Sequence, residues 1–351
     1  MTKKQSKEKG LLTKAFIVLG IFLVIALGIT FFNYYLKYYG SNTTKEEQYL
    51  YIRTGSDFGA VMDSIKKNEM LKDTTSFQWA AANMDYVQKV KPGRYLLERG
   101  MSNREIINKL KSGNQDPVKL RFQAMRLKEN FAGYLSRRLE LDSSEFINLL
   151  DSTDYIAKYG FNKDNIYSMF IPNSYEVYWN TGADKFFKRM NGEYEKFWTH
   201  ERKAKAEKIG LSPIQVSILA AIVDAEALHD DEMPTIAGLY MNRLKRSIKL
   251  EADPTVIFAN NDFTIRRVLR RHLTKASPYN TYLHKGLPPG PIMMPSINAI
   301  EAVLNYKKHD YIFMCAKEDL KGYHNFAATG AEHQANARRF QQALDKLNIK
   351  K

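Results

Sequence analysis

"VSILAAIVDAEALHDDEMP" (216–234) decides how the C-terminal half of the chain folds. Val216 to Val223 carry no charge, and the run then stops at two acids, Asp224 and Glu226. Just upstream, Ser212 and Gln215 have capping-box spacing, and Pro213 falls at the first helical position. The stretch reads as a helix that is apolar on nearly every face, so it belongs in the middle of a domain. Side chains two residues apart on a helix diverge by about 200°. Asp224 and Glu226 therefore cannot serve one cleft as a side-by-side pair. Glu226 continues the stripe of Leu219 and Ile222 and has the longer reach, whereas Asp224 stacks over Ala220 and Ala221. An acid held among apolar neighbours loses hydration, and its pKa rises. The negative end of the helix pushes the same way. A carboxyl that keeps its proton near neutrality suits a general acid. The plainer alternative is that both acids, with "HDDE" (229–232), mark where the helix meets water.

The whole chain has 351 residues, 44% hydrophobic and 26% charged, enough for two or three modest domains. Its net charge of +15 favours polyanions or anionic surfaces. The Lys and Arg residues are spread along the chain, with no zinc-finger spacing, RNP-like motif or phosphate-binding glycine loop. That argues against nucleic acid as a partner. The single cysteine, Cys315 in "YIFMCAK", cannot form an intrachain disulfide and reads as a strand residue rather than a nucleophile.

Ala15 to Leu36, "AFIVLGIFLVIALGITFFNYYL", contains no charge. As a helix it would be about 33 Å long, enough to cross a bilayer. Lys3, Lys4, Lys7, Lys9 and Lys14 precede it, against Glu8 alone. That bias predicts residues 1–14 as a cytoplasmic tail, 15–36 as an uncleaved transmembrane anchor in the cytoplasmic membrane, and everything beyond as extracytoplasmic. The segment's length and aromatic end argue against a cleaved signal peptide.

Residues 37–48 read as a polar linker. Residues 49–117 read as a small α+β module. "YLYIRTG" suits a strand, "SDFGAVMDSIKKNEML" and "TSFQWAAANM" suit helices, and "KPGRYLL" turns into a second strand. Ser102 and Glu105 form a capping box on a further helix that Gly113 ends. Strand–helix–helix–strand in this span resembles LysM-like carbohydrate-binding modules. Residues 118–205 form a connecting helical and aromatic region, in which "ADKFFKRMNGEYEKFWTHERKAKAEKIG" reads as one long charged helix. Residues 206–351 form the C-terminal domain. The fold class is α+β: an N-terminal transmembrane helix, a LysM-like module and a C-terminal α+β catalytic domain.

Downstream of Glu226, Asp253-Pro254 reads as a turn starter. "SPYNTYLHKGLPPGPIMMPS" (277–296) sets Tyr279, Asn280 and Tyr282 among prolines and glycines. Such a loop suits sugar recognition, where rings stack and hydroxyls need donors and acceptors. An ordinary surface loop is the alternative. His324 and His333 lack a third clear ligand, so no metal site is expected.

Together "ILAAIVDAE", Asn242-Arg243-Leu244, "ADPTV" (252–256), "YNTY" (279–282), "GLPPGPI" (286–292) and the series Gly322, His324, Phe326, Thr329, His333 resemble the YceG-like family. These are membrane-anchored endolytic murein lytic transglycosylases. The resemblance implies Glu226 as the catalytic residue, with Asp224 where many members carry another glutamate. It also implies Asn242, Asp253, Tyr279, Asn280, Tyr282 and His324 as substrate-binding residues, no cofactor, and peptidoglycan glycan strands and cell-wall synthesis proteins as partners. Three positions depart from the family pattern. Glu251 stands where glutamine is common, which would put an extra negative charge near Glu226. "FQAMR" (122–126) lacks the usual Glu-Gly, and Asn173 replaces an aspartate. The implied reaction is non-hydrolytic cleavage between N-acetylmuramic acid and N-acetylglucosamine, with Glu226 as acid and then base. A hydrolytic muramidase and a non-catalytic wall-binding scaffold remain the alternatives.

Overall fold

The structure is a computed structural model that describes residues 3–347. Met1, Thr2 and residues 348–351, which belong to the expected tail and to the end of the expected C-terminal domain, lie outside the described residues. The chain forms two compact units, residues 1–118 with 176–180, and residues 119–175 with 181–351.

The first unit opens with α1 (Lys3–Tyr39), the one single helix among the described residues long and apolar enough to cross a membrane. Then come β1 (Glu47–Ile52), α2 (Phe58–Lys67), α3 (Thr74–Asn83), β2 (Gly93–Glu98) and α4 (Asn103–Ser112). β1 pairs antiparallel with β2, Glu47 opposite Glu98 and Ile52 opposite Gly93. Alternation along β1 buries Gln48, Leu50 and Ile52. Leu50 and Ile52 pack with Ile65, Phe77, Tyr95, Ile106 and Leu110. Asp57, Asp73 and Ser102 cap the three helices, and Gly113 ends α4 in the left-handed conformation.

The stretch read as a linker has little slack. α1 runs through it to Tyr39, and Asn42 and Thr43 are buried. The Asn42 amide donates to Asn103 Oδ1 (2.7 Å) and to the Asp73 carbonyl (2.8 Å). The Asn103 amide in turn donates to the Lys37 carbonyl of α1 (2.9 Å) and to Ser76 Oγ (3.0 Å). Trp79 of α3 meets Tyr34 and Tyr38 edge-on.

The remaining elements are β3 (Val118–Arg121), α5 (Lys128–Ser136), α6 (Ser143–Asp151), α7 (Thr153–Ala157), β4 (Ser174–Val177), α8 (Ala183–Phe197), α9 (His200–Lys208), α10 (Pro213–Glu226), α11 (Met233–Lys245), α12 (Asp253–Asn260), α13 (Arg270–Leu273), α14 (Ile297–Leu304), β5 (Phe313–Ala316), β6 (His324–Ala327) and α15 (Gly330–Lys346). The expected long charged helix is broken into α8 and α9. Trp198 turns into the core, and Thr199 caps α9 by accepting from the Arg202 amide. Phe122, Phe131, Phe146, Phe170, Phe186 and Phe187 make a continuous aromatic cluster from the middle region. It lies in the same unit as the C-terminal elements.

α10 is the axis of the second unit. Every residue from Val216 to Val223 is buried. Val216 and Leu219 to Val223 pack in one core with Ile236 and Tyr240 of α11 and with Ile300 and Val303 of α14. β5 and β6 form an antiparallel pair, Phe313 opposite Ala327 and Ala316 opposite His324. The Asp253-Pro254 pair does not start a turn. It forms the first turn of α12, where a proline costs no hydrogen bond.

Candidate active site

The two acids at the end of α10 part company. Asp224 Oδ2 accepts the Ser296 backbone N–H at 2.7 Å, bracing the start of α14. Glu226 Oε1 accepts from the hydroxyl of Tyr240 on α11 at 3.0 Å. Both carboxyls are half-buried, and loss of hydration raises both pKa values. For Asp224 the Ser296 bonds oppose that rise, while the charge of Asp230 adds to it. Glu226 is pushed up to about 7. Desolvation is the main cause and the negative charge of Asp253 adds to it; the Tyr240 hydroxyl and the Asp253 backbone N–H pull the other way. Glu226 thus carries a proton over much of the neutral range and can release it there.

Glu226 lines two adjoining spaces. The smaller, about 190 Å³, also contacts Tyr240, Arg243, Glu251, Asp253, Tyr282 and His324. The larger, about 1000 Å³, opens past Asp253, Ile257 and the 266–268 segment to α15. Asp253 and Cys315 line both. Burial raises the Cys315 thiol pKa, which makes it a poor nucleophile at neutral pH.

Asp253 is held at this position by the turn that carries "YNTY". The Ala252 N–H donates to Thr281 Oγ1 (3.0 Å), and the Thr255 and Thr281 hydroxyls meet at 2.8 Å in the interior. The Tyr282 hydroxyl donates to Asp253 Oδ1 at 2.7 Å. Its pKa, like that of Tyr240, is raised by desolvation first, so both phenols stay donors to their acids. His324 enters from β6. Its Nδ1 lies 2.7 Å from Glu232 Oε2, and its backbone N–H donates to Glu232 Oε1 at 2.7 Å. A carboxylate oxygen accepts, so the pairing has Nδ1 as the donor to Glu232. Glu232, expected in a solvated run, is buried by this pairing.

The other expected site residues serve as framework. The Asn242 amide donates to the carbonyls of His309 (2.7 Å) and Tyr311 (3.0 Å). That loop approaches α11 at Gly238, where a Cβ would lie 2.2 Å from the Lys307 carbonyl. Asn280 is fully buried and donates to the carbonyls of Leu273 and Lys275, both at 2.9 Å. Tyr279 packs on Phe258, with its hydroxyl 3.4 Å from Asp164 Oδ1. None of these three lines either space around Glu226.

Sequence reasoning on single residues missed Tyr240, Glu232 and Arg243. Arg243 is almost fully buried. It donates to the carbonyls of Ile312 (2.6 Å), Lys249 (2.9 Å) and Leu250 (3.0 Å) and to Glu251 Oε2 (2.9 Å). A buried arginine inside a helix carries no local sequence signal beyond its place in the Asn242–Leu244 motif. The pairing also corrects the expectation for Glu251. Its carboxylate borders the smaller space but is matched by Arg243, and the charge that acts on Glu226 comes from Asp253. Among the described residues, no group of three or more His, Cys, Asp or Glu is placed to hold a metal ion.

An endolytic murein transglycosylase of Bacillus subtilis is 30% identical over 298 residues, covering 80% of this chain and 81% of the relative. One from Streptococcus pneumoniae is 23% identical over 315 residues, covering 81% of this chain and 57% of that longer protein. The crystal structure of a yceG-like protein from Listeria monocytogenes shares the fold, with a TM-score of 0.56 at 22% identity over 83% of this chain and 99% of that one. The YceG-like family pattern matches residues 50–339, and the chain belongs to the YceG-like family.

Proposed function

We propose that this chain is a membrane-anchored endolytic lytic transglycosylase of peptidoglycan, with Glu226 as its acid and base. The observation that carries the reading is a carboxyl with a pKa of about 7 at the junction of two open spaces, next to a second acid and two phenols. The names of the relatives supply the substrate class. Glu226 protonates the glycosidic oxygen as the bond from N-acetylmuramic acid to N-acetylglucosamine breaks. The resulting carboxylate then takes the proton of the muramoyl C6 hydroxyl, which attacks C1 and closes a 1,6-anhydro ring. The nucleophile is already part of the substrate, so proximity replaces a captured water. Asp253, held by Tyr282, faces the developing positive charge at C1. Tyr282 and His324 contact the sugar, while Asn242, Tyr279 and Asn280 hold the frame.

α1 anchors the protein with its N-terminus inside, and the β1–α2–α3–β2 module acts as a LysM-like wall-binding unit beside the membrane. One observation favours a second reading. Asp253 offers the second carboxylate that a hydrolytic muramidase needs. Mass spectrometry of glycan strands digested by the full-length protein separates the two. The expected products end in 1,6-anhydro sugars and vanish with Glu226→Gln; reducing ends in their place would establish hydrolysis, and turnover that survives Glu226→Gln would remove Glu226 from the mechanism.

A further inference from the structure

Beside Glu226, the larger space has a wall that the bond-breaking chemistry does not use. Arg266 and Arg267 face it from the segment after α12, and Arg338 faces it from α15. On α15 the lining residues are Gln334, Ala337, Arg338, Phe340, Gln341 and Leu344, which fall within one broad helix face. All three arginines are exposed, and among the described residues none of their side chains has a hydrogen-bond, ion-pair or ring partner. Neighbouring arginines behave differently: Arg339 reaches Glu318 at 3.4 Å, and Arg243 bonds to three backbone carbonyls and to Glu251. Among the described residues, the only acids lining the same space are Glu226 and Asp253. Three unpaired guanidinium groups lining one cleft form a receptor for several carboxylates at once, because each can bind a carboxylate in a planar two-pronged fashion.

We infer that Arg266, Arg267 and Arg338 form a carboxylate-binding wall that takes the acidic stem peptide of the strand being cleaved, so that the enzyme selects peptide-bearing over bare glycan. This rests on the transglycosylase reading. The stem peptide hangs from the lactyl group of the muramoyl sugar, the residue whose C1 reacts at Glu226. Carboxylates on that peptide are therefore tethered to the reacting sugar, and a wall that shares the cleft with Glu226 is where they would meet cations. The two amides of Gln334 and Gln341 supply donors and acceptors for the peptide backbone between them.

The test uses the full-length protein in detergent and two substrates: uncross-linked strands carrying their stem peptides, and the same strands stripped by an amidase. The readout is the ratio of kcat/KM on the two. Wild type should prefer the peptide-bearing strand by roughly tenfold or more at low salt, with the preference shrinking as salt screens the contact. Arg266→Gln/Arg267→Gln/Arg338→Gln should bring the ratio towards one through KM, and the triple lysine variant should keep part of it. The single variant Arg338→Gln gives the same readout at smaller size if the triple variant folds poorly. An active wild-type enzyme with a ratio near one, or a glutamine variant with an unchanged ratio, would overturn the carboxylate wall alone. Turnover of neither substrate would instead overturn the transglycosylase reading beneath it.

Discussion

α1 and α10 are both helices with apolar residues on every side, and neither shows the two-faced pattern of a surface helix. In α1 the side chains described from Phe16 to Phe32 stand exposed; in α10 Val216 to Val223 are all buried. A uniform apolar run thus says only that water is absent, not which medium replaces it. Length and ends tell the difference. α1 has 37 residues and passes through tyrosines to Lys37 near its C-terminus, as suits a bilayer interface. α10 has 14 residues, starts at a capping box and stops at two carboxyls. A membrane helix has no reason to end in acids that must keep a proton, whereas a core helix that surfaces in a cleft does.

The sharpest way to break this comparison is to cut the same group from each helix. Leu219→Ala in α10 should cost about 2–5 kcal/mol in denaturant unfolding of the full chain in detergent, because it leaves a cavity. Leu23→Ala in α1, where Leu23 is 62% exposed, should leave the same transition almost in place. Comparable losses would mean that α1 is packed against protein.

The end of α10 gives a smaller effect with a defined pH window. Glu226 has its folded-state pKa raised from 4.5 to about 7. A raised pKa means that the folded state binds the proton more tightly. Its favourable contribution is complete below pH 4.5 and is lost as pH rises to about 7. Glu226→Gln should match wild type at low pH and exceed it by up to about 3 kcal/mol above pH 7, read from unfolding at a series of pH values. A stability difference independent of pH would remove the buried proton from the account.

The smallest effects separate the neighbours of that proton. Tyr240→Phe removes a bond that favours the carboxylate, so the limb of the pH–rate profile that reports Glu226 should move up. Asp253→Asn removes a like charge and should move it down. Glu251→Gln should shift it less than either, since Arg243 already balances Glu251. A larger shift for Glu251→Gln than for Asp253→Asn would reverse that assignment.

The sequence made the ends of elements most legible. Ser102 with Glu105 and Ser212 with Gln215 form capping boxes in the structure, because caps are local and their chemistry is written within four residues. The divergence of Asp224 and Glu226 followed from helix geometry alone. The break at Trp198 was hidden, since charge patterning ran across it and only the pull of Trp198 into the core divides the helix. Pairings between distant residues were equally hidden. Glu226 with Tyr240, Glu232 with His324 and Arg243 with Ile312 depend on how helices and strands stack, and no spacing along the chain encodes them. Asn242 and Asn280 lie in recognisable motifs, yet their amides are bonded to backbone carbonyls that hold loops in place.

The junction between α1 and the first module has a mechanical consequence. Asn103 grips the end of the helix at Lys37, and Asn42 locks the next residues to α3 and α4. On the proposed anchoring, these bonds would make α1 a mast rather than a leash. A module held this way would neither drift far from the bilayer nor swivel freely above it, and a tilt of the helix would become a tilt of the module. If the module binds glycan as proposed, glycan would be met at a fixed height, and the search for it would be a two-dimensional sweep along the membrane instead of a three-dimensional one through the wall.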